Sequence, residues 1–381
     1  MFPDLRRMAA SVVAVGCVVA LSPAVPHAAA APAVPHAAAA PAVPHAAAAP
    51  SDRVEKAHLE RFAIGSRALI GVSVATLWRE PGIHRTIDRP SLRNPAQLGR
   101  WNRNLRTAEQ RRWLVGKVQT QALYGQEVLV RETRGRWVKV AVLDEPEPQD
   151  PAGYPGWLPA SQLRPKGDVP SIGDDNDHLV VLADRTRLRI GDAVVRVGYG
   201  TRLALAEQPP EGLRETEAGA TGAPPAGVTS AAEFGSAGGK WVRVMTPDGP
   251  GRVPAAAVGP PRELTARSIL AEGRKFLGLR YLWGGLSAWG MDCSGLIWNL
   301  FRAHGHTIPR DADPQFRSGH KVGLKRLQPA DFLFWGTREY VHHVALYVGD
   351  GLMMEAPDSS GRVRIVPIRW RELVGARRYI D

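Results

Sequence analysis

The sequence predicts a multidomain chain in which two small all-β barrels precede an α+β domain. Three observations lead there. Two middle segments repeat one another, Gly135-Arg136-Trp137-Val138-Lys139-Val140 and Gly239-Lys240-Trp241-Val242-Arg243-Val244. After Leu264 the apolar residues change to helical spacing. One cysteine, Cys293, lies beyond the first fifty residues, the other being Cys17.

The first fifty residues read as a signal peptide and a spacer rather than as part of the fold. Arg6 and Arg7 precede an apolar stretch, Met8 to Leu21, of the length of a signal-peptide core and too short to span a bilayer. A unit Pro-Ala-Val-Pro-His-Ala-Ala-Ala-Ala then starts at Pro23, Pro32 and Pro41. Its prolines block helix and its small side chains cannot build a core, so it predicts a flexible spacer. The expectation is a secreted or cell-wall protein without stable membrane insertion. Lys and Arg number 49 against 37 Asp and Glu, a net charge of +12. In an exported protein this excess favours anionic cell-wall polymers or membrane surfaces over nucleic acid, or it simply follows from arginine-rich usage. The arginines are scattered and no nucleic-acid motif is present.

The barrels are expected at 68–165 and 176–260. Each Trp-containing run is preceded by a strand-like alternation, Glu127-Val128-Leu129-Val130 in one and Thr201-Arg202-Leu203-Ala204-Leu205 in the other. Each is followed by a second matched run, Gly156-Trp157-Leu158-Pro159 and Gly251-Arg252-Val253-Pro254. A Pro-, Gly-, Ala- and Glu-rich stretch from Gln208 to Gly239 reads as a disordered loop in the second barrel. Pro165 to Asp177 reads as the linker between them.

The last domain is expected at 264–381. Leu264, Ile269, Leu270, Phe276 and Leu277 recur as on a helix that stops at Gly278. A second helix is predicted from Cys293 to Ala303, ending near Gly305. Strands are predicted at Phe332–Trp335, Val344–Val348, Leu352–Met354 and Val363–Val366.

A secreted protein with one thiol cannot form an internal disulfide, so a nucleophilic role is the economical reason to keep Cys293. Asp292 is a fitting N-cap, which puts Cys293 in the first helical turn, where the helix dipole is expected to lower its pKa. His343 at the start of a strand is the candidate base. Glu355 lies twelve residues on, past the Gly349-Asp350-Gly351 turn. A tight hairpin would set it beside His343 as the orienting acid. His304, His306 and His320 have no metal-binding spacing, and no metal or cofactor is expected.

The tail resembles the NlpC-type cell-wall cysteine peptidases, a papain-like superfamily. The matching pieces are Tyr281-Leu282-Trp283-Gly284-Gly285, Asp292-Cys293-Ser294-Gly295-Leu296, Pro309-Arg310, Leu327-Gln328-Pro329-Ala330-Asp331 and His343-Val344-Ala345-Leu346-Tyr347-Val348-Gly349. The resemblance implies Cys293 as nucleophile, His343 as base, Tyr281 at the oxyanion site and Trp283 beside the substrate. In one place the sequence departs from it: most members carry histidine where Met353-Met354-Glu355-Ala356-Pro357 has Glu355. The Trp-containing repeats resemble bacterial SH3-like domains. The whole then resembles the γ-D-glutamyl-L-diamino acid endopeptidases (dipeptidyl-peptidase VI), through Gln121-Ala122-Leu123-Tyr124-Gly125 and Gly153-Tyr154-Pro155-Gly156-Trp157-Leu158-Pro159 as well.

That resemblance implies that Tyr154, Asp292 and Ser294 recognise a free N-terminal L-alanine on peptidoglycan stem peptides (muropeptides), which Cys293 cleaves after γ-D-glutamate. The fold class so reached is two all-β SH3-like barrels followed by an α+β papain-like NlpC-type domain. A hydrolase of intact wall stems and a catalytically weak wall-binding protein are the alternative readings.

Overall fold

The computed structural model describes residues 61–148, 150–172, 178–206, 229–230 and 240–380. The signal-peptide and spacer expectations lie outside them, as does nearly all of the predicted loop at 208–239.

Alternating apolar residues close the first region into an antiparallel sheet of seven strands. These are β1 (Arg67–Ile70), β2 (Val74–Trp78), β3 (Val118–Leu123), β4 (Glu127–Arg134), β5 (Trp137–Val142), β6 (Tyr154–Pro159) and β7 (Leu163–Pro165). Their order in the sheet is β3-β2-β6-β5-β4-β1-β7. Val128, Val130, Val138, Val140, Val142 and Leu158 fill its interior.

The second region forms an eight-stranded sheet from β8 (His178–Val181), β9 (Arg185–Ile190), β10 (Ala193–Gly198), β11 (Arg202–Leu205), β12 (Thr229–Ser230), β13 (Trp241–Thr246), β14 (Gly249–Pro254) and β15 (Val258–Gly259). Leu188, Ile190, Val195, Val197, Leu203, Val244 and Val253 are its core. This β-rich part is compatible with the expected pair of barrels. Arg164 and Tyr124 of the first sheet donate to the buried carboxylate of Asp248 in the second, at 2.6 and 2.9 Å.

Between β2 and β3 the chain makes an excursion that the sequence did not announce. A 3-10 turn (Thr86–Leu92) leads to helices α1 (Leu98–Asn104) and α2 (Ala108–Arg112). These helices are short and rich in arginine, so tertiary contacts rather than propensity hold them. Trp101 is fully buried and its indole donates to Asp88 at 2.9 Å. The excursion docks on the tail: Arg280 donates to the Asn102 carbonyl at 2.8 Å and Arg111 to that of Ser359 at 2.6 Å.

In the tail, α3 (Ala266–Arg274) precedes the two-stranded β16 (Leu286–Ser287) and β17 (Gly290–Met291). Helix α4 (Cys293–Ala303) begins at the capping Asp292 and ends where Gly305 turns to φ +83°. After α5 (Ala312–Ser318) come β18 (His320–Val322), β19 (Phe332–Gly336), β20 (Val341–Gly349), β21 (Leu352–Glu355), β22 (Arg364–Pro367) and β23 (Leu373–Arg378). They form an antiparallel sheet in the order β18-β23-β19-β20-β21-β22. Two of its six strands, β18 and β23, were not anticipated. They are only partly buried, so the period-2 signal is weak there.

Helix α4 is wedged among all three sheets. Near its C-terminal end, Asn299 donates to the Tyr199 carbonyl at 3.3 Å and Arg302 to that of Gly200 at 3.2 Å, both in the second region. Arg302 also pairs with Asp144 of the first region. One apolar cluster runs through Trp78, Val118, Val180, Tyr199, Leu296, Phe301 and Phe332 and joins all three regions. Among the described residues no helix is long and apolar enough to cross a membrane.

Candidate active site

Cys293 sits at the first position of α4 and is 8% exposed. The helix is capped by Asp292, whose Oδ1 accepts the Gly295 amide at 2.7 Å and whose Oδ2 accepts the Gly284 amide at 2.8 Å. The thiol does not show the lowered pKa expected of a helix start. Burial first, and the Asp292 charge second, push it up to about 12, against hydrogen bonds from the backbone of Val344 and Ser294 and the charge of Arg310. The group therefore rests as a thiol, and a nucleophilic role requires a base to take its proton.

The contact with Val344 places the sulfur at the strand that carries His343, one residue before it. On β20 and β21 the register pairs Leu346 with Met354, which sets Glu355 diagonally across from His343 on the same face. The His343 Nε2 lies 2.8 Å from Glu355 Oε2. Burial, the largest influence on Glu355, pushes its carboxyl up. Hydrogen bonds from His343, Arg369 and Arg364 outweigh it and hold the group at about 2. An ionised Glu355 makes Nε2 the donor and leaves Nδ1 with the lone pair that can take a proton. The Trp335 ring, opposite His343 in the register, packs at 5.5 Å between centroids. Tyr281 is 4% exposed, and burial and the nearby Cys293 raise its phenol well above the usual value.

Asp292 and Ser294 are both engaged by one arginine. Arg310, fully buried, donates to both Asp292 oxygens at 3.1 and 2.9 Å and to Ser294 Oγ at 3.0 Å. Burial works against the Arg310 charge, but Asp292 and Asp311 more than offset it and keep the guanidinium protonated. The Trp283 indole donates to the Val118 carbonyl of β3 at 2.9 Å. The neighbouring Gly284 has φ +71°, and a Cβ there would lie 2.5 Å from Val118. Only glycine lets this turn meet the first sheet.

Tyr154 does reach the tail. It opens β6 directly after Gly153, whose φ is +133° and whose Cβ position would lie 2.0 Å from the Val142 carbonyl oxygen. Its hydroxyl donates to Asp311 Oδ2 at 2.7 Å. Protein packed around Asp311 holds that carboxyl above its usual value, with Arg310 opposing, while 42% of the side chain stays open to solvent. Its other oxygen, Oδ1, lies 3.6 Å from the Arg310 guanidinium.

Arg310 also donates to Thr120 Oγ at 3.0 Å, and Thr120 donates to Glu145 at 2.6 Å. Glu145 is wholly buried, and burial raises its pKa from 4.5 to about 8 despite Arg310 and Thr120. The folded state thus keeps a proton that the unfolded chain gives up above 4.5, so stability falls as pH rises through the window from 4.5 to about 8. Glu145→Gln keeps the acceptor for Thr120 and should flatten that slope in thermal melts, stabilising the protein by about 2–4 kcal/mol at the alkaline end. Equal destabilisation at every pH would contradict this reading. Thr120, Glu145 and Asp311 escaped the sequence reading, and Arg310 was noticed only as part of a motif. Among the described residues no cluster of His, Cys, Asp and Glu could hold a metal.

Residues 278–375 match the model of the NlpC/P60 family. Over 329 residues the chain is 36% identical to the gamma-D-glutamyl-L-lysine dipeptidyl-peptidase of Bacillus cereus, covering 83% of this chain and 91% of that protein. The chain belongs to the NlpC/P60 family. The gamma-D-glutamyl-L-lysine dipeptidyl-peptidase of Bacillus subtilis is 31% identical over 318 residues, 80% of this chain and 96% of that protein. The crystal structure of an NlpC/P60 family protein from Bacillus cereus superposes with a TM-score of 0.71 at 33% identity, over 83% of this chain and 100% of that one. The last domain is thus the papain-like NlpC/P60 domain, and the protein is a cysteine peptidase.

Proposed function

We propose that this NlpC/P60 enzyme hydrolyses the γ-D-glutamyl–diamino acid bond of peptidoglycan stem peptides that carry a free N-terminal L-alanine. The observation that carries the proposal is the Tyr154–Asp311 contact, which brings a loop of the first β region, read as an SH3-like barrel, onto the catalytic domain. Two relatives that align along the first sheets as well as the tail bear the dipeptidyl-peptidase name. A carboxylate with a solvent-open face beside the nucleophile's helix suits an ammonium group, and the barrel loop closes the side along which a longer, glycan-linked stem would extend. Export is part of the same reading and rests on the leader-like first fifty residues.

In the proposed reaction His343 Nδ1 takes the Cys293 proton as Sγ attacks the γ-carbonyl carbon of D-glutamate. Charge builds on the carbonyl oxygen near Tyr281. The tetrahedral adduct collapses, the carbon–nitrogen bond breaks, and His343 returns the proton to the departing amine of the diamino acid. Water then adds to the thioester with His343 as base, releasing the dipeptide carboxylate and restoring the thiol.

The test is to incubate the protein with L-Ala-γ-D-Glu-diaminopimelate and with its N-acetylated form and to follow release of the diamino acid. Cleavage of the free peptide at least about 100-fold faster is expected, since the acetylated form brings no ammonium group to the solvent-open face of Asp311. Similar rates on both would remove the free-amine reading, and cleavage of neither would remove the substrate class.

A further inference from the structure

We propose that Arg364 and Arg369 are positioning residues of the catalytic apparatus: they fix the Glu355 carboxylate in one orientation against His343 and offset its charge, so that an acid can stand where a neutral partner would serve. The inference rests on the catalytic pairing of Cys293 with His343 and is independent of which peptide is cut.

The geometry is a closed set of contacts. Glu355 Oε1 accepts from Arg364 Nε at 3.0 Å, from Arg364 Nη2 at 2.8 Å and from Arg369 Nη1 at 2.8 Å. Oε2 accepts from Arg369 Nη1 at 2.9 Å and from His343 Nε2 at 2.8 Å. A carboxylate offers about four lone-pair directions. With Oε1 taken by guanidinium donors, it can present only Oε2 to the imidazole and cannot turn away.

The backbone builds this set. Arg364 stands directly opposite Glu355 in the β21–β22 register. Arg369 follows β22, and its guanidinium lies 5.0 Å over the Trp335 ring that flanks His343. The Trp335 indole in turn donates to the Arg369 carbonyl at 2.7 Å, tying that segment down.

Charge follows from the same contacts. Glu355 with the two arginines sums to +1, whereas a lone buried carboxylate would bring −1 to the imidazole. An uncompensated carboxylate would hold the imidazolium proton too firmly for transfer to a leaving amine. The other charged groups around His343 are few. Helix α4 brings Cys293 with Asp292 and Arg310 beside it, β19 brings no charge, and Asp358 beyond β21 feels both Arg364 and Glu355. Asp313 of α5 accepts the Val341 amide and pairs with Arg317. His342 is exposed, on the opposite face of β20.

The test reads the thiol directly. The rate of Cys293 alkylation by iodoacetamide is followed against pH in the full chain, by mass spectrometry of the Cys293 peptide, alongside kcat and KM. Removing two positive charges makes every proton in the site harder to remove, so Arg364→Gln with Arg369→Gln should move the inflection of the profile upward. Water reaches both side chains, 51% and 44% exposed, which limits the shift to roughly one pH unit. A fall in kcat of roughly tenfold is expected with KM little changed, as for a group that acts through the base rather than on the substrate. Arg364→Lys with Arg369→Lys restores the charge without the fork and should return the inflection while recovering only part of kcat. An inflection unmoved by the glutamine pair, or moved equally by the lysine pair, overturns the proposal. Because alkylation needs no peptide, an error in the assigned substrate leaves this result unaffected.

Discussion

Cys293→Ala is expected to abolish peptide hydrolysis, by a factor of about 10⁴–10⁶ in kcat, while the protein stays folded. The size follows from what the sulfur does: no other side chain at the start of α4 can form the acyl intermediate, since Ser294 is bound to Arg310. The fold should tolerate the change because the thiol contributes little. It is a small buried group whose charged form burial opposes, with its pKa pushed up to about 12. Cys293→Ser should be nearly as inactive, because a hydroxyl is a far poorer proton donor to His343 than a thiol. Hydrolysis rates and far-ultraviolet circular dichroism check both halves. Retained turnover in Cys293→Ala would end the assignment of this residue as nucleophile.

Arg310→Met is expected to have the largest effect on stability. The guanidinium is fully buried and satisfies Asp292, Ser294 and Thr120 together. Methionine leaves the Asp292 charge without its partner in a dry site, a loss of about 3–5 kcal/mol. The cost lies in the stranded charge rather than in the net worth of the pair. Adding Asp292→Asn should therefore recover a good part of it, because asparagine still caps α4 without a charge. Urea unfolding of the two variants measures this, and a double variant less stable than Arg310→Met alone would contradict it. Activity should fall in both, since the same carboxylate holds the Gly284 turn and the first turn of the nucleophile's helix.

What could be read in the sequence was local. Asp292 and Gly305 mark the ends of α4, and the Gly349-Asp350-Gly351 turn makes the pairing of His343 with Glu355 a matter of register. The helical excursion at 86–112 was not legible, because its short, arginine-rich helices depend on burying Trp101 against Asp88. The contacts of Asp292 and Ser294 were hidden for a related reason. Their partner Arg310 lies 18 and 16 residues away, in a loop whose path no periodicity shows. Asp311 meets Tyr154 across 157 residues, so this contact was beyond any local pattern. Two arginines on Glu355 were equally hidden, although they explain how an acid serves at that position.

The central proposal is that Tyr154 of the first β region, together with Asp311 of the tail, decides which peptides reach Cys293. The ratio of kcat/KM for L-Ala-γ-D-Glu-diaminopimelate to that for its N-acetylated form, measured in the native protein and in Asp311→Asn, tests it most directly. The account predicts a ratio of about 100 or more in the native protein that falls steeply in the variant, because asparagine carries no charge to pair with an ammonium group. A ratio unchanged by Asp311→Asn would contradict it.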